Sequence, residues 1–302
     1  MSRPTIFCDL VLPASAPRED WLSARLTGIG SSDASAVVGL NPWRTPLDVW
    51  QDKTFPSSDQ ADNEAMEFGR ALEPVVAAAF ARRTGKILRR VGLVRSREWP
   101  WMLASCDRRV LGERAVVECK TTGLWSASDW DHDEIPDHAV IQVMHQLAVT
   151  GDDKAYVPCL IGGQRLEIRE IRRDEDAIRA LVEQERVFWE DNVLKGQEPE
   201  AGASDLATLK ERPRGEEEMV SVPADEVRTM IRQRTELATL RKQAEKEERN
   251  ITARLVQLLG DAAAATVGGE PIYTYYASPR AGYYVAPTTV RTLRITKHGK
   301  AL

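Results

Sequence analysis

Asp107, Glu118 and Lys120 are the residues whose types and spacing ask for chemistry rather than packing. Asp107 closes a short apolar run, and eleven residues on, Glu118 and Lys120 flank Cys119 inside the run Ala115 to Cys119. If the two runs are neighbouring strands joined by a turn at Leu111 to Arg114, Glu118 and Lys120 share one face, because side chains alternate along a strand. Asp107 then meets them across the ladder. Two carboxylates so placed repel and need a cation, and few hard oxygen ligands suit Mg²⁺ or Mn²⁺ better than zinc. A lysine beside a cation and a phosphate orients or deprotonates an attacking water and offsets developing negative charge. The plain alternative is a surface hairpin, since Glu-x-Lys triplets are common.

The elements around these residues follow from pattern. Asn63 to Thr84 reads as a long helix with Phe68, Leu72, Val75, Val76, Ala79 and Phe80 on its apolar side. Glu73 lies in that stretch and must be paired, exposed or bound to a cation, because burying an unpaired charge is costly; its plain reading is a partner for Arg70 or another arginine. Three strand-like runs follow, Ile87 to Arg95, Met102 to Cys106 and Ala115 to Thr121. Thr122 to His138 is a polar loop whose Trp125 and Trp130 either stack on bases or cover the core. Ala139 to Thr150 is a helix carrying Gln142, Met144, His145 and Gln146, and strands near 155–161 and 165–171 meet at Gly162-Gly163. Glu175 to Lys195 is an amphipathic helix. Upstream, Arg25 precedes a Gly-rich turn and the Ser31-Ser32-Asp33 start of a helix. Such a start holds an anion through Arg25 and Ser32, or is simply capped.

This order of elements describes an α/β or α+β core with a mixed sheet flanked by helices. The domain reading is a lead-in over 1–20, a core over 21–198, a polar Pro/Gly-bearing linker over 199–223 and a C-terminal extension over 224–302. In the extension Met230, Leu237, Ala244, Ile251 and Leu258 recur every seven residues, as on a coiled-coil-like helix from 224 to 259. Its other core column holds Arg234, Arg241 and Glu248, which disfavours a tight zipper. A Gly268-Gly269 turn, Tyr273, Tyr275 and Tyr276, Tyr283-Tyr284 and a basic strand Arg291 to Lys297 end the chain.

A net charge of −5 argues weakly against nucleic acid, but Arg82, Arg83, Lys86, Arg89, Arg90, Arg95 and Arg97 could line a positive groove or form a solvated face. No apolar run approaches the roughly 20 residues that cross a bilayer, so a soluble, cytoplasmic protein without a membrane partner is expected. The four cysteines contain no C-x-x-C pair, so neither a zinc ribbon nor a disulfide framework is expected. No Walker A loop, H-E-x-x-H or G-x-S-x-G occurs.

From Trp21 to Lys195, through RLTGIGSSDASAVVGLNPW, FGRALEP, the ASCD…VECKTT pair and AVIQVMHQLAVTG, the chain resembles the YqaJ-like viral recombinases. These are relatives of phage lambda exonuclease in the PD-(D/E)XK nuclease superfamily, with its restriction-endonuclease-like core. Cys106 stands where the superfamily name has proline. The resemblance implies that Asp107, Glu118 and the Cys119 carbonyl bind two Mg²⁺ or Mn²⁺ ions, with Glu73 supporting metal-bound water. It further implies that Lys120 activates or positions the attacking water, that Gln142 organises Lys120 and the scissile phosphate, and that Arg25 and Ser32 hold a 5′-terminal phosphate. The implied activity is digestion of the 5′ strand of linear duplex DNA in a bacterial or phage-infected cell, leaving 3′ overhangs for a single-strand annealing protein. Relatives form a ring around DNA. Two other readings stand beside it: a repair or internally cutting nuclease of the superfamily, and an inactive DNA-binding scaffold.

Overall fold

The computed structural model describes residues 7–55, 64–132, 134–212 and 219–277. In chain order the first elements are β1 (Cys8–Leu12), α1 (Arg18–Arg25), β2 (Ile29–Gly30), α2 (Ser31–Val37), α3 (Pro46–Thr54) and α4 (Glu64–Thr84). Next come β3 (Leu88–Arg89), β4 (Leu93–Ser96), β5 (Met102–Ser105), β6 (Arg108–Val110), β7 (Ala115–Val117) and β8 (Lys120–Thr122). Then follow α5 (Asp137–Thr150), β9 (Lys154–Ile161), β10 (Arg165–Arg172), α6 (Glu175–Val187), α7 (Leu206–Glu211), α8 (Ala224–Leu259), β11 (Ala264–Val267) and β12 (Glu270–Thr274). The chain divides into two units, 1–211 and 212–302.

In the first unit β7 and β8 run parallel to β9, while β10 pairs with β9 and β6 with β7 in antiparallel fashion. The central strands are apolar on both faces, so both must be covered. Val116, Ala155 and Val157 pack with Val143 and Leu147 of α5 and Ile178 and Leu181 of α6. Ala115, Val117 and Tyr156 point the other way and meet Phe80 of α4. Period-two alternation therefore turns Glu118 and Lys120, in step with Val116, toward α5. A second sheet has the order β1-β4-β5-β2. The fold is the expected mixed α/β core with helices on both faces.

Three expectations need correction. The runs at 102–106 and 115–121 do not pair: β5 is occupied by β4 on one edge and β2 on the other, and the hairpin partner of β7 is β6. Asp107 thus lies where the chain crosses from one sheet to the other. The lead-in contains an edge strand, β1, antiparallel to β4 with Asp9 opposite Arg95; its irregular, half-exposed burial carries no clean alternation. Within the 199–223 linker, α7 and the turn before it are anchored, because buried Asp205 accepts the Thr45 hydroxyl and the Gly202 N–H (2.6 Å).

In the second unit α8 covers the expected span, with Met230, Leu237, Ile251 and Leu258 exposed. The β11–β12 hairpin turns at Gly268 and Gly269, whose φ angles of 63° and 91° suit glycine. The Tyr273 hydroxyl donates to the Leu255 carbonyl at 3.0 Å. No helix among the described residues is long and apolar enough to cross a membrane. Tyr283-Tyr284, Arg291 to Lys297 and the loop read over 56–63 lie outside the described residues.

Candidate active site

Between β7 and β8 the pairing with β9 lapses at Glu118-Cys119, although the register on either side is the same. Pro158 of β9 faces this lapse and has no N–H to give. The Glu118 N–H still reaches the Tyr156 carbonyl (3.0 Å), while the Cys119 N–H points away from β9 and donates to Asp107 Oδ2 at 2.7 Å. This bond seats Asp107 beside Glu118 from the neighbouring chain crossing.

Glu118 is 5% exposed and both its oxygens are held. Oε1 accepts from Lys120 Nζ (3.0 Å) and Gln142 Nε2 (2.5 Å), and Oε2 accepts from Gln146 Nε2 (2.7 Å). Lys120 Nζ also donates to Gln142 Oε1 at 2.6 Å. Gln142 and Gln146 are one turn apart on α5 and so share its sheet-facing side. Burial, then the Glu118 and Glu73 carboxylates, push the Asp107 carboxyl well above the ordinary range, and the Cys119 N–H and Lys120 offset this only in part. Asp107 is thus short of positive charge. Glu73 of α4 is paired with Arg108, which also donates to the Asp107 carbonyl (2.5 Å).

No three His, Cys, Asp or Glu side chains among the described residues form a closed metal cage. The donors nevertheless fit a hard cation: two neighbouring carboxylates, one of them raised in pKa by the other, suit an ion that keeps much of its own water. Cys119 contributes its N–H to the arrangement, and its thiol is not needed.

A second cluster gathers Arg25 and Ser32 with residues that sequence reading did not select. Gly28 lets the chain pass β5, since a Cβ there would lie 2.4 Å from the Trp101 carbonyl oxygen, and Asp33 Oδ2 accepts the Gly30 N–H at 3.2 Å as α2 begins. Asp33 is 1% exposed and takes three cations: Arg25 (2.7 Å), Arg44 (2.9 Å) and Lys53 (2.8 Å). Arg25 also donates to Ser32 Oγ at 3.2 Å. Burial alone would raise the Asp33 pKa, but Arg25, Lys53 and Arg44 overcome it and hold the carboxyl well below its usual range. The capping expectation for this stretch is met by Asp33. The result is two guanidiniums side by side on Asp33 Oδ1.

The remaining arginine stretch is largely used in structure: Lys86 pairs with Glu113, Arg97 with Asp9 (2.5 Å), and Arg95 donates to the Pro100 carbonyl (2.5 Å). Of the two loop tryptophans, Trp130 is core and Trp125 is 99% exposed. Gln146, Arg44 and Lys53 were not selected from the sequence as candidate site residues, and Asp33 was read there only as a cap. The signal for Gln146 was its place four residues after Gln142; the others are joined only by the packing of α2 against α3.

Residues 20–153 match the family described as the YqaJ-like viral recombinase domain, the family suggested by the motifs. Over 202 residues the chain is 43% identical to uncharacterized protein YqaJ of Bacillus subtilis (strain 168), an alignment covering 65% of this chain and 63% of that protein. The chain therefore spans just under two thirds of that relative. Among solved structures, the alkaline exonuclease LHK-Exo from Laribacter hongkongensis superposes with a TM-score of 0.53 at 21% identity, covering 59% of this chain and 93% of that one. LHK-Exo in complex with dAMP gives 0.52 at 22% identity over the same shares. At this identity the likeness concerns the fold.

Proposed function

With a YqaJ-like viral recombinase domain over residues 20–153 as the premise, we propose that the chain is a divalent-metal-dependent exonuclease that hydrolyses the 5′ strand of linear duplex DNA. One observation carries the reading: Glu118, locked by Lys120, Gln142 and Gln146, stands beside an Asp107 whose carboxyl is only partly compensated by Lys120. Asp107 and Glu118, with the Cys119 carbonyl, are the groups that would hold Mg²⁺ or Mn²⁺. Such an ion supplies Lewis-acid charge and a more acidic water at a phosphodiester.

The chain's own residues do the rest. Lys120 is fixed by two acceptors, Glu118 and Gln142, so its ammonium is aimed before substrate arrives; there it positions the attacking water and offsets charge on the phosphate. Gln142 couples Lys120 to Glu118, so that neither moves alone. Glu73, spent on Arg108, acts on Asp107 through its charge. Arg25, Arg44 and Ser32 present guanidinium and hydroxyl groups suited to a terminal phosphate, for which paired arginines are well matched. This cluster supports the 5′ reading. A 3′ overhang for a single-strand annealing protein and assembly as a ring belong to the same proposal.

The test is digestion of end-labelled linear and closed-circular duplex DNA with Mg²⁺ or with EDTA. Expected are loss of the linear form from its 5′ ends, faster with 5′ phosphate than 5′ hydroxyl, an intact circle, and no reaction in EDTA. Cutting of the circle would make it an internal nuclease, and binding without cutting would make it a scaffold.

A further inference from the structure

Trp43 is an indole left 74% exposed in a loop that is otherwise firmly built. Asn41 Oδ1 accepts the N–H of both Trp43 and Arg44, each at 2.9 Å, and Asn41 Nδ2 donates to Ser35 Oγ of α2 at 3.0 Å. The next residue, Arg44, is the second guanidinium on Asp33. The Trp43 ring meets His138 of α5 nearly perpendicularly, with centroids 4.9 Å apart. Trp125 is more exposed still, but no ring contact steadies it among the described residues.

His138 begins the α5 row that continues with Gln142 and Gln146, spaced four apart and so on one side of the helix. Gln142 and Gln146 touch Glu118, and His138 stands at the outer end of the row. Burial, then the Lys120 ammonium, hold the His138 imidazole below its ordinary pKa, as expected of a ring near that lysine. Trp43 thus adjoins Arg44, whose guanidinium is shared by Asp33 and Asp52, and through its ring contact with His138 it adjoins the α5 row at the Lys120 site. A nucleic-acid strand that reaches both must carry a base past the indole. Every base offers a flat π-face, and aromatic side chains take such faces without regard to sequence.

We propose that Trp43, steadied by His138, is a stacking platform for the nucleobase of the 5′-terminal nucleotide of a duplex end. This inference rests on the nuclease reading given above and names the base subsite of that same site. Trp43 is the binding residue; His138 is a positioning residue that fixes the indole plane.

The experiment uses the full chain and short blunt duplexes with 5′-phosphorylated ends, with either a normal or an abasic 5′-terminal nucleotide. Binding is measured in Ca²⁺ and hydrolysis in Mg²⁺. Wild type is expected to bind the abasic end about tenfold more weakly, the loss of one base–aromatic stack. Trp43→Ala is expected to raise Kd and KM on the normal end by a similar factor, with kcat changed far less, and to discriminate little between the two ends. Trp43→Phe should recover most of the affinity. The abasic comparison on wild type needs no variant, so it stands even if a substitution misfolds. Equal binding of the two ends by wild type, or losses from Trp43→Ala and the abasic end that multiply in full, would overturn the platform. If wild type neither binds nor digests either duplex, the nuclease reading itself falls, a result distinct from failure of the platform alone.

Discussion

Asp33 and Asp107 are both acids drawn in among protein atoms, and their surroundings push them in opposite directions. Asp33 is met by Arg25, Arg44 and Lys53, and its pKa lies well below the ordinary range. Asp107 is met by Glu118 and Glu73, and its pKa lies well above. The first cluster sets three cations against Asp33 and Asp52, the latter pairing the second arm of Arg44, and so keeps an excess of positive charge. The second holds more acid than its cations balance, the charge that the proposed metal ion would offset. In the proposed function one pole takes the DNA terminus and the other carries out the chemistry on it.

Removing a cation from the acid-rich pole should have the largest effect. Lys120→Ala is expected to lower Mg²⁺-dependent digestion of linear DNA by about 10²- to 10⁴-fold, the range for a positioned proton-handling group. DNA binding in Ca²⁺ should be largely retained, and an unchanged rate would remove Lys120 from the mechanism.

Asp33→Asn attacks the other pole. Three cations would lose their shared buried anion, and breaking such a set costs roughly 3–5 kcal/mol, measurable by urea unfolding. In protein that still folds, the preference for 5′ phosphate should shrink as Arg25 and Arg44 lose their common anchor. Undiminished stability would mean that Asp33 is not what holds the cluster.

The same substitution at Asp107 should act with the opposite sign. Its raised pKa means that wild type loses stability as pH rises from the ordinary aspartate value through the folded one. Asp107→Asn removes that loss, so in EDTA near neutral pH the variant is expected to unfold at higher urea concentration than wild type. Its nuclease activity should vanish. A less stable variant would contradict the repulsion on which the metal assignment rests.

A smaller effect belongs to His145, fully buried and bonded to Glu185 (2.7 Å) and the Leu103 carbonyl (2.9 Å). Burial opposes its imidazolium, but Glu185 and Leu103 outweigh burial and raise its pKa. That stabilisation is complete below about pH 6.5 and is lost as pH rises through the higher folded value. The thermal midpoint should therefore fall on the alkaline side, and Glu185→Gln should flatten the slope.

Much of this was legible from local pattern. Strand parity placed Glu118 and Lys120 on one side, pattern gave the helix at 139–150 while only the family resemblance set its Gln142 at the site, and the seven-residue column marked α8. What failed were features set by partners distant in sequence. β5 could not pair with β7 because β2 and β4 already occupied its edges. α7 looked like linker because its anchor is one buried acid, Asp205, bonded to Thr45 far upstream. Arg44 and Lys53 carry no motif of their own, and only the α2–α3 packing brings them to Asp33. Trp43 and His138 are 95 residues apart and meet through the fold alone.

The contrast between the two acids is tested most directly by thermal unfolding of metal-free protein titrated with Mn²⁺. Wild type is expected to gain stability as Mn²⁺ binds at Asp107 and Glu118, by an amount that grows with ion concentration, and Asp107→Asn to gain none. An equal gain in both, or no gain in wild type, would contradict the assignment of the Asp107–Glu118 pair as the metal site.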